Sequence, residues 1–394
     1  MDSESLQMPA PGLPLPELWD AIISHVLDPY EIVPRKDLKA ISLVCSSFCA
    51  PAQKALFENV LIHDSCPRET LDNGEERYIT KELAIVKAIR FTDLLKESPH
   101  LLRYIRYLSI GTDDPECFRI VAAIPWSQLR NLEFRHLSVA TLERCPDGVA
   151  RLLGITSIRT LTIQGCGDRV DFEAVFSYCS PSIEQLGLMA VQPILASGTL
   201  PPSACAIRGS PRPIIRGLTV GYSPDIMDIL GEAFDFTRLE TLHLVLNHGP
   251  RLASFFSRYC STVKCLTIMD KDPGWTDFDP IMHLPKLIQI DVSVSELNLD
   301  SFINFLTNIT TSNRIEQIKI LFCLSSDDTK DLRKDMTVDT ARRFEDVVLQ
   351  PGRLPALRVV QMQVHLFPML HGIPVVIVPE FFPRLREKGI LELI

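Results

Sequence analysis

The sequence predicts an α/β solenoid, a fold in which short strand–helix units stack side by side along the chain. Two observations predict it. A phrase of the form apolar-x-x-apolar-x-apolar recurs ten times, and its last four residues alternate as in a half-buried strand. Several copies are followed by a segment whose apolar residues have helical spacing. We therefore expect one curved parallel sheet on the concave face, with the helices on the convex face.

The ten copies of the phrase follow one another at near-regular steps. Eight of the nine steps between their first residues are 24 to 32 residues long, and the last is 42. A period of about 20–29 residues and a start L-x-x-L-x-L are typical of leucine-rich repeats. The asparagine or cysteine usual after the third leucine is mostly missing, which indicates degenerate repeats. The copies begin at Ile105, Leu129, Ile158, Ile183, Ile215, Leu239, Val263, Leu287, Ile315 and Leu357.

The composition is that of an ordinary soluble protein. Of the 394 residues, 46% are hydrophobic and 23% charged. The net charge of −9 argues against nucleic acid as the main partner, because binding phosphates requires a concentrated basic surface. Residues 1–16 lack a secretory signal pattern and no apolar run reaches about 18 residues. We expect no membrane association and a cytoplasmic or nuclear location.

The eleven cysteines are scattered and contain no C-x-x-C pair. Buried free thiols in a reducing compartment are the natural interpretation, and a zinc site would need clustered Cys and His at ligand spacing. We expect neither disulfides nor a bound metal.

The pattern between residues 13 and 60 differs from the repeats and predicts three short helices. The first has Pro16 and Glu17 in its first turn, where proline and acids are favoured. The second starts near Asp37, and Pro51 is expected in the first turn of the third. Three short helices in about 45 residues bury little surface alone, so a partner or neighbouring domain must cover them.

These same residues resemble an F-box. The resemblance rests on Leu15-Pro16-Glu17-Leu18, Ile22-Ile23, Leu43-Val44-Cys45-Ser46-Ser47-Phe48 and Ala55-Leu56-Phe57. Residues 98–106 are also similar to the junction into the repeats of many fungal F-box proteins. In that family the three helices dock on the Skp adaptor of cullin-type ubiquitin ligases. The resemblance thus implies these adaptor-binding residues: Leu15, Pro16, Glu17, Leu18, Ile22, Ile23, Leu43, Val44 and Phe48.

Two hypotheses for the function follow from this division of the chain. In the first, the F-box holds the adaptor and cullin assembly while the repeats hold an unknown protein target for ubiquitin transfer. In the second, the chain is a repeat-protein scaffold or inhibitor whose F-box-like helices only cap the solenoid, since repeat arrays need capped ends. Binding of the adaptor distinguishes the two hypotheses.

The predicted order along the chain is a tail, an F-box, a linker and the repeats. Residues 1–12 form a disordered tail, 13–60 the F-box, 61–81 a linker and 82–394 the repeat domain. A first strand is expected over residues 57–62, an exposed loop over 64–77, and a long helix from Leu83 that ends near Ser98-Pro99. Later helices are expected over residues 172–178, from Ile226 to Leu230, and over 252–259, 299–306 and 340–349, with insertions at residues 192–213 and 327–350.

We find no motif that indicates catalysis or a cofactor. The aspartates from Asp270 to Asp279 fail as a calcium loop, because the sixth and twelfth positions are Trp275 and Ile281 rather than glycine and glutamate. There is no Gly-x-Ser-x-Gly elbow, no His-Glu-x-x-His and no phosphate loop. We expect no catalytic residues, no cofactor and no enzymatic activity.

The residues between the last two apolar positions of each phrase are the candidate target-binding residues. Side chains at this position point away from the core, either as a merely solvated sheet face or as the binding face that solenoids commonly use. The position after the first apolar residue is charged in nine of ten copies and should face water. The candidates for contact with a target are Glu133, Thr162, Thr219, His243, Thr267, Asp291, Lys319 and Gln361, with Ser109 and Gly187 at the equivalent positions of the two remaining copies.

Overall fold

The computed structural model describes residues 46–64, 68–70, 76–78, 83–170, 172–193, 211–221, 226–246, 252–270, 284–295, 299–309, 313–324, 338–366 and 381–393. The first two predicted helices and the adaptor-binding residues from Leu15 to Val44 lie outside these ranges. So do the aspartate-rich segment after Asp270, most of the predicted insertion at residues 192–213 and the first part of the one at residues 327–350.

A twelve-stranded open sheet organises the fold, and every neighbouring pair of its strands is parallel. Its spatial order follows the chain, and each strand pairs with the next strand that belongs to this sheet, so that β1 pairs with β4. The sheet consists of β1 (Asn59–His63), β4 (Tyr107–Gly111), β5 (Asn131–Arg135), β6 (Thr160–Val170), β7 (Gln185–Pro193), β8 (Gly217–Gly221), β9 (Thr241–Leu246), β10 (Cys265–Asp270), β11 (Gln289–Ser295), β12 (Gln317–Leu324), β13 (Val359–Leu366) and β14 (Leu391–Leu393).

All ten phrases form strands of this sheet, as predicted. The second apolar residue of each phrase is the register partner of the same residue in the next; Leu242 and Leu266, for example, are paired. Both of these leucines are fully buried. The predicted first strand is β1, whose Val60 and Ile62 pair with Leu108 and Ile110. The solenoid-like α/β architecture is confirmed for the described repeats.

A repeated hydrogen-bond pattern joins the strands where each one begins. The carbonyl oxygen of Arg106 accepts the backbone N–H groups of both Arg130 and Asn131, at 2.8 and 2.9 Å. The equivalent carbonyl makes the same pair of bonds ten times, from Glu58 at one end to Glu316 at the other. All of these residues except Glu58 belong to the row predicted to face water. Three neighbouring pairs in that row form ion pairs: Arg159–Glu184, Lys264–Glu240 and Arg358–Glu316.

The helices lie on the apolar side of the sheet. Phe118 of a helix packs against Phe134 of β5 with ring centroids 5.7 Å apart, and both are fully buried. Farther along, Phe302 packs against Phe344. The described α-helices are α1 (Ser46–Phe57), α2 (Ala84–Glu97), α3 (Pro115–Ala122), α4 (Val139–Arg144), α5 (Pro146–Leu153), α6 (Phe172–Ser177), α7 (Met227–Ala233), α8 (Leu252–Tyr259), α9 (Leu299–Asn308), α10 (Val338–Val348) and α11 (Pro383–Glu387).

The helix predictions are confirmed for α2 and for α6 to α10, within a few residues at their ends. Short 3-10 helices at Pro99–Arg103 and Cys260–Thr262 lead into the strands that follow. Helices α3, α4 and α5 were not predicted. Asp114 and Ser138 cap α3 and α4 by accepting the backbone N–H of Glu116 and Thr141.

The N-terminal end of the repeat array differs from the prediction in two respects. Pro51 lies inside α1 rather than in its first turn, because the helix includes Ser46 and the residues after it. The segment predicted as a loop contains a short antiparallel hairpin, β2 (Arg68–Thr70) with β3 (Glu76–Tyr78), since paired backbone groups satisfy each other even in a polar segment.

The C-terminal end of the array is closed by α11 and β14. The buried carboxylate of Glu345 in α10 accepts the backbone N–H groups of Arg384 and Leu385 at 2.8 and 2.9 Å. Phe344 also packs edge-on against Phe382. The first turn of α11 thus has an acceptor for two of the N–H groups that a helix start leaves unpaired.

Among the described residues, no helix is both long enough and apolar enough to cross a membrane. Six cysteines in the same ranges are free thiols: Cys49, Cys117, Cys145, Cys179, Cys260 and Cys265. Burial raises the pKa of Cys117, Cys179 and Cys260 to about 12, so these three are poor nucleophiles at neutral pH.

Candidate protein-binding face

The candidate target-binding residues lie in one continuous row across the sheet, on the face opposite the apolar phrases. We call it the central row. Each member is the register partner of the next, and the row extends beyond the ten phrases to both edge strands. Its members are Leu61, Ser109, Glu133, Thr162, Gly187, Thr219, His243, Thr267, Asp291, Lys319, Gln361 and Glu392.

Three members of the central row are less accessible than the sequence suggested. Ser109 is fully buried, Glu133 is only 3% exposed, and Gly187 is also buried. Thr162, Thr219, His243 and the members from Thr267 to Gln361 keep an intermediate exposure. Glu133 was predicted to contact a target, but other side chains cover it, so its position favours holding the face together.

The carboxylate of Glu133 is satisfied by two neighbours on the same face. The Tyr107 hydroxyl donates to Oε2. The guanidinium of Arg135 donates from Nε to Oε1 at 2.7 Å and from Nη2 to Oε2 at 3.4 Å. A buried carboxylate is tolerated only with such partners. Glu133 thereby fixes Arg135, whose side chain remains 43% exposed.

Arg135 lines an open pocket of about 520 Å³ that the sequence did not reveal. The pocket lies where β1, β4 and β5 end, beside Gly165 within β6. The carboxyl ends of the strands in open α/β sheets are where ligands commonly bind. Its wall includes His63, Asp64, Thr112, Asp113, His136 and Ser138. In the sequence these residues come after the apolar phrases and not within them. Their common position at the ends of neighbouring strands is the signal that could have indicated the pocket.

His63 joins the pocket to the central row. Its Nε2 lies 2.7 Å from the Ser109 hydroxyl, and its carbonyl oxygen accepts a bond from Lys87 at 2.9 Å. Burial, followed by the positive charge of Arg135, lowers the pKa of His63 below its usual 6.5. The imidazole is therefore neutral at pH 7 and can share a proton with Ser109.

Two further pocket residues have an uncommon backbone conformation. His136 has φ 64° and Gly165, on the next strand, has φ 63°. A Cβ at Gly165 would lie 3.2 Å from Nδ1 of His136, so glycine lets this ring lie against the strand. The left-handed conformation of a residue other than glycine is uncommon and often marks a functional position.

The second half of the central row carries a different set of polar groups. Burial lowers the pKa of His243, and the nearby charge of Asp291 opposes that change. Asp291 accepts two bonds from the Gln289 amide at 2.9 and 3.1 Å. Farther on, Gln317 donates to Gln361 and Gln361 donates to Glu392.

Lys319 stands apart within this set. Although Asp291 and Gln361 are its register partners, its ammonium group has no hydrogen-bond or ion-pair partner in the described part of the chain. The face thus carries the positive charge of Lys319 beside the negative charge of Asp291 on the neighbouring strand.

Most of the predicted adaptor-binding residues lie outside the part of the chain that the structure describes. Only Phe48 falls within the described ranges, in α1, and Leu15, Pro16, Glu17, Leu18, Ile22, Ile23, Leu43 and Val44 lie outside them.

No protein-family model matches this chain, and no curated protein matches it either. The function is therefore argued from its residues and geometry.

Proposed function

We propose that this protein is a substrate receptor of a Skp–cullin–F-box ubiquitin ligase, without catalytic activity of its own. Residues 13–60 would dock on the Skp adaptor, and the face that carries the central row would hold a protein target. The transfer of ubiquitin would be performed by the remainder of the ligase assembly. Such a role places the chain in the cytoplasm or nucleus.

The proposal that this face binds a protein target rests mainly on the unbroken register of the central row. Eleven spacings of about 4.8 Å give a strip of about 53 Å, comparable to the width of a globular domain. Most of its middle members are polar and partly exposed. Repeat arrays bind macromolecules through extended surfaces of this kind.

The adaptor-binding half is supported by the sequence pattern between Leu15 and Phe57. Its apolar residues belong to a region too short to bury them all, and exposed apolar sets of this kind mark protein interfaces. Helix α1, which contains the end of this pattern, leads directly into edge strand β1. A docked adaptor would consequently lie near one end of the array.

A second function is favoured by a specific feature of the same end. Leu83, Val86 and Ile89 are 47%, 36% and 45% exposed on or beside α2. An apolar surface at the end of an array is what a capping segment would cover. In this alternative, the chain is a scaffold or inhibitor and residues 13–60 only close the solenoid.

Titration of purified Skp adaptor against the intact chain tests the proposal. Saturable binding is expected if residues 13–60 form an F-box, and subsequent addition of the cullin should give a ternary complex. If the intact, folded chain does not bind the adaptor, the ligase role is excluded and the capping alternative remains.

A further inference from the structure

The residues on either side of the first apolar position of each phrase form a basic edge, where the strands of the sheet begin. Of the twenty residues at these positions, nine are Arg or Lys and three are Glu. The whole chain has a net charge of −9, so the charge of this edge is opposite in sign to that of the protein. We call it the basic edge, and its cations are Arg106, Arg130, Arg159, Arg216, Arg238, Lys264, Lys286, Arg314 and Arg358.

The positive charge is most concentrated where three neighbouring strands, β4, β5 and β6, are each preceded by an arginine. The backbone N–H of Arg130 donates to the carbonyl oxygen of Arg106 at 2.8 Å, and the N–H of Arg159 donates to the carbonyl oxygen of Arg130 at 2.7 Å. Like charges directly opposite each other on adjacent strands are destabilising. A bound anion would therefore remove a cost that the isolated protein carries.

The three arginine side chains keep donors available. Arg130 is exposed, and its guanidinium has no hydrogen-bond or ion-pair partner in the described part of the chain. Arg106 and Arg159 each donate one bond to a backbone carbonyl, at 3.2 and 2.9 Å. Arg159 also lies 3.9 Å from Glu184, in a half-exposed ion pair of a kind that contributes little. Because a guanidinium has five N–H groups, most of them remain for a ligand.

The acids of this region do not cancel its charge. Each of the three glutamates of the basic edge already forms an ion pair with one of its cations, and six cations have no such partner within the edge. Two acids, Glu58 and Asp235, lie just outside these positions, as do two cations, Arg103 and Arg212. The neighbouring residues therefore leave the excess of positive charge unchanged.

We propose that the basic edge binds an acidic segment of the protein target, with carboxylates of that segment on Arg106, Arg130 and Arg159. This inference rests on the proposed target-binding function and specifies the chemistry of the target. Planar guanidinium groups suit this ligand, because each can bind a carboxylate through two parallel hydrogen bonds.

The distribution of charge favours a short acidic segment over a larger polyanion. Because nine cations lie on one edge of a chain whose net charge is −9, the remaining residues are strongly acidic. A DNA duplex or an anionic bilayer is wide enough to approach those acidic surfaces as well, where like charges repel. A single peptide chain is narrow enough to remain on the edge.

The length of the basic edge sets the size of the segment. Nine strand spacings of about 4.8 Å span about 43 Å. An extended peptide rises about 3.3 Å per residue, so about 13 residues cover the whole edge.

Two synthetic peptides of about 13 residues provide the probes. One alternates glutamate with serine, and the other has glutamine in place of each glutamate. Fluorescence anisotropy with the intact chain at low salt should show binding of the glutamate peptide at least about tenfold tighter than that of the glutamine peptide, a difference of about 1.4 kcal/mol. The affinity should fall as salt is added, because salt screens exposed charges.

A matched pair of charge reversals tests the position of the site. Arg130→Glu should weaken binding of the glutamate peptide at least about fivefold, which corresponds to about 1 kcal/mol. Arg342→Glu should not, although it changes the net charge equally, because Arg342 is exposed on α10 and away from the basic edge. Arg130→Gln removes the charge without reversing it and should cause a smaller loss than Arg130→Glu. Thermal unfolding of each variant verifies that the fold persists.

Equal affinity for the two peptides, or equal losses in Arg130→Glu and Arg342→Glu, would overturn the inference. Tighter binding of a short DNA duplex or of phosphatidylserine vesicles than of the glutamate peptide would overturn the choice of partner. Adaptor titration on the same preparation separates the two proposals: adaptor binding without binding of the glutamate peptide removes only the acidic-segment site.

Discussion

The Tyr107 hydroxyl donates a hydrogen bond to the carboxylate of Glu133 on the neighbouring strand, at the edge of the candidate pocket. Glu133 is almost fully buried and Arg135 supplies its other donors. The three side chains form one polar unit in which each member restrains the next. Loss of one donor leaves a buried charge short of a partner.

Tyr107→Phe should therefore lower the free energy of unfolding by about 1–3 kcal/mol, the usual cost of an unsatisfied buried acceptor that carries charge. Urea unfolding at pH 7 measures it. Tyr104→Phe is the control, since Arg103, which bonds its hydroxyl, is exposed. Equal stability of the two variants would show that Glu133 does not depend on Tyr107.

The register of Leu242 and Leu266 leads to a prediction about the core. Leu242→Ala should cost about 2–5 kcal/mol of unfolding free energy, because it leaves a cavity in a fully packed interior. Leu61→Ala makes the same chemical change at a leucine that is 48% exposed on edge strand β1, and should cost less than about 1 kcal/mol. Similar costs at both sites would mean that the two faces of the sheet are wrongly assigned.

Much of the fold could be predicted because strand burial has a period of two. The alternation placed Leu242, Leu266 and their equivalents inside, and the central row outside. It missed β14 because the phrase there lacks its first apolar residue: Lys388 stands where leucine or isoleucine is usual. It missed the hairpin because polar residues at 68–78 show no alternation.

The candidate site was less predictable than the sheet. Glu133 and Thr162 occupy the same position of the phrase, yet only Glu133 is buried. The difference arises from Tyr107, whose side chain reaches its diagonal neighbour on β5, and from Arg135, which lies two residues farther along the same strand as Glu133. The spacing of the apolar residues does not encode such contacts. The pocket beside them depends in addition on His136 in a left-handed conformation, for which the sequence gives no signal.

The contacts that close the C-terminal end of the array predict that Glu345 contributes more to stability than the adjacent Asp346. Glu345→Ala should lower the free energy of unfolding by about 2 kcal/mol or more, because two backbone N–H groups of α11 lose their shared buried acceptor. Asp346→Ala should have a much smaller effect, since Asp346 and its partner Arg384 are both exposed. Guanidinium unfolding compares them, and a larger loss for Asp346→Ala would contradict this assignment.

Acidification should destabilise the pocket region through His63. Its folded-state pKa is lowered chiefly by burial and next by the charge of Arg135. Glu133 opposes this change, and Lys87 and His136 lower the pKa by smaller amounts. The unfolded chain therefore binds the proton more readily, so stability is present above about pH 6.5 and falls as pH decreases toward the folded pKa. Wild type should lose more unfolding free energy than His63→Gln between pH 7.5 and pH 5.5. An equal loss in the two proteins would place the sensitivity in other groups.

The last prediction concerns the proposed adaptor interface. Leu15 and Pro16 begin the segment that resembles an F-box, and interface energy is usually concentrated in a few apolar anchors worth about 2 kcal/mol or more each. Leu15→Ala combined with Pro16→Ala should weaken adaptor binding at least about tenfold, since about 1.4 kcal/mol corresponds to one decade. The titration follows heat release as purified adaptor is added to wild type and to the double variant. Thermal unfolding should remain unchanged, because the repeat core from Val60 to Leu385 is built from other residues. Leu83→Ala serves as the matched control: it removes an exposed leucine outside the F-box-like segment and should leave adaptor affinity intact. If the double variant instead binds as tightly as wild type, the adaptor does not use this segment; if it melts earlier, the segment caps the array.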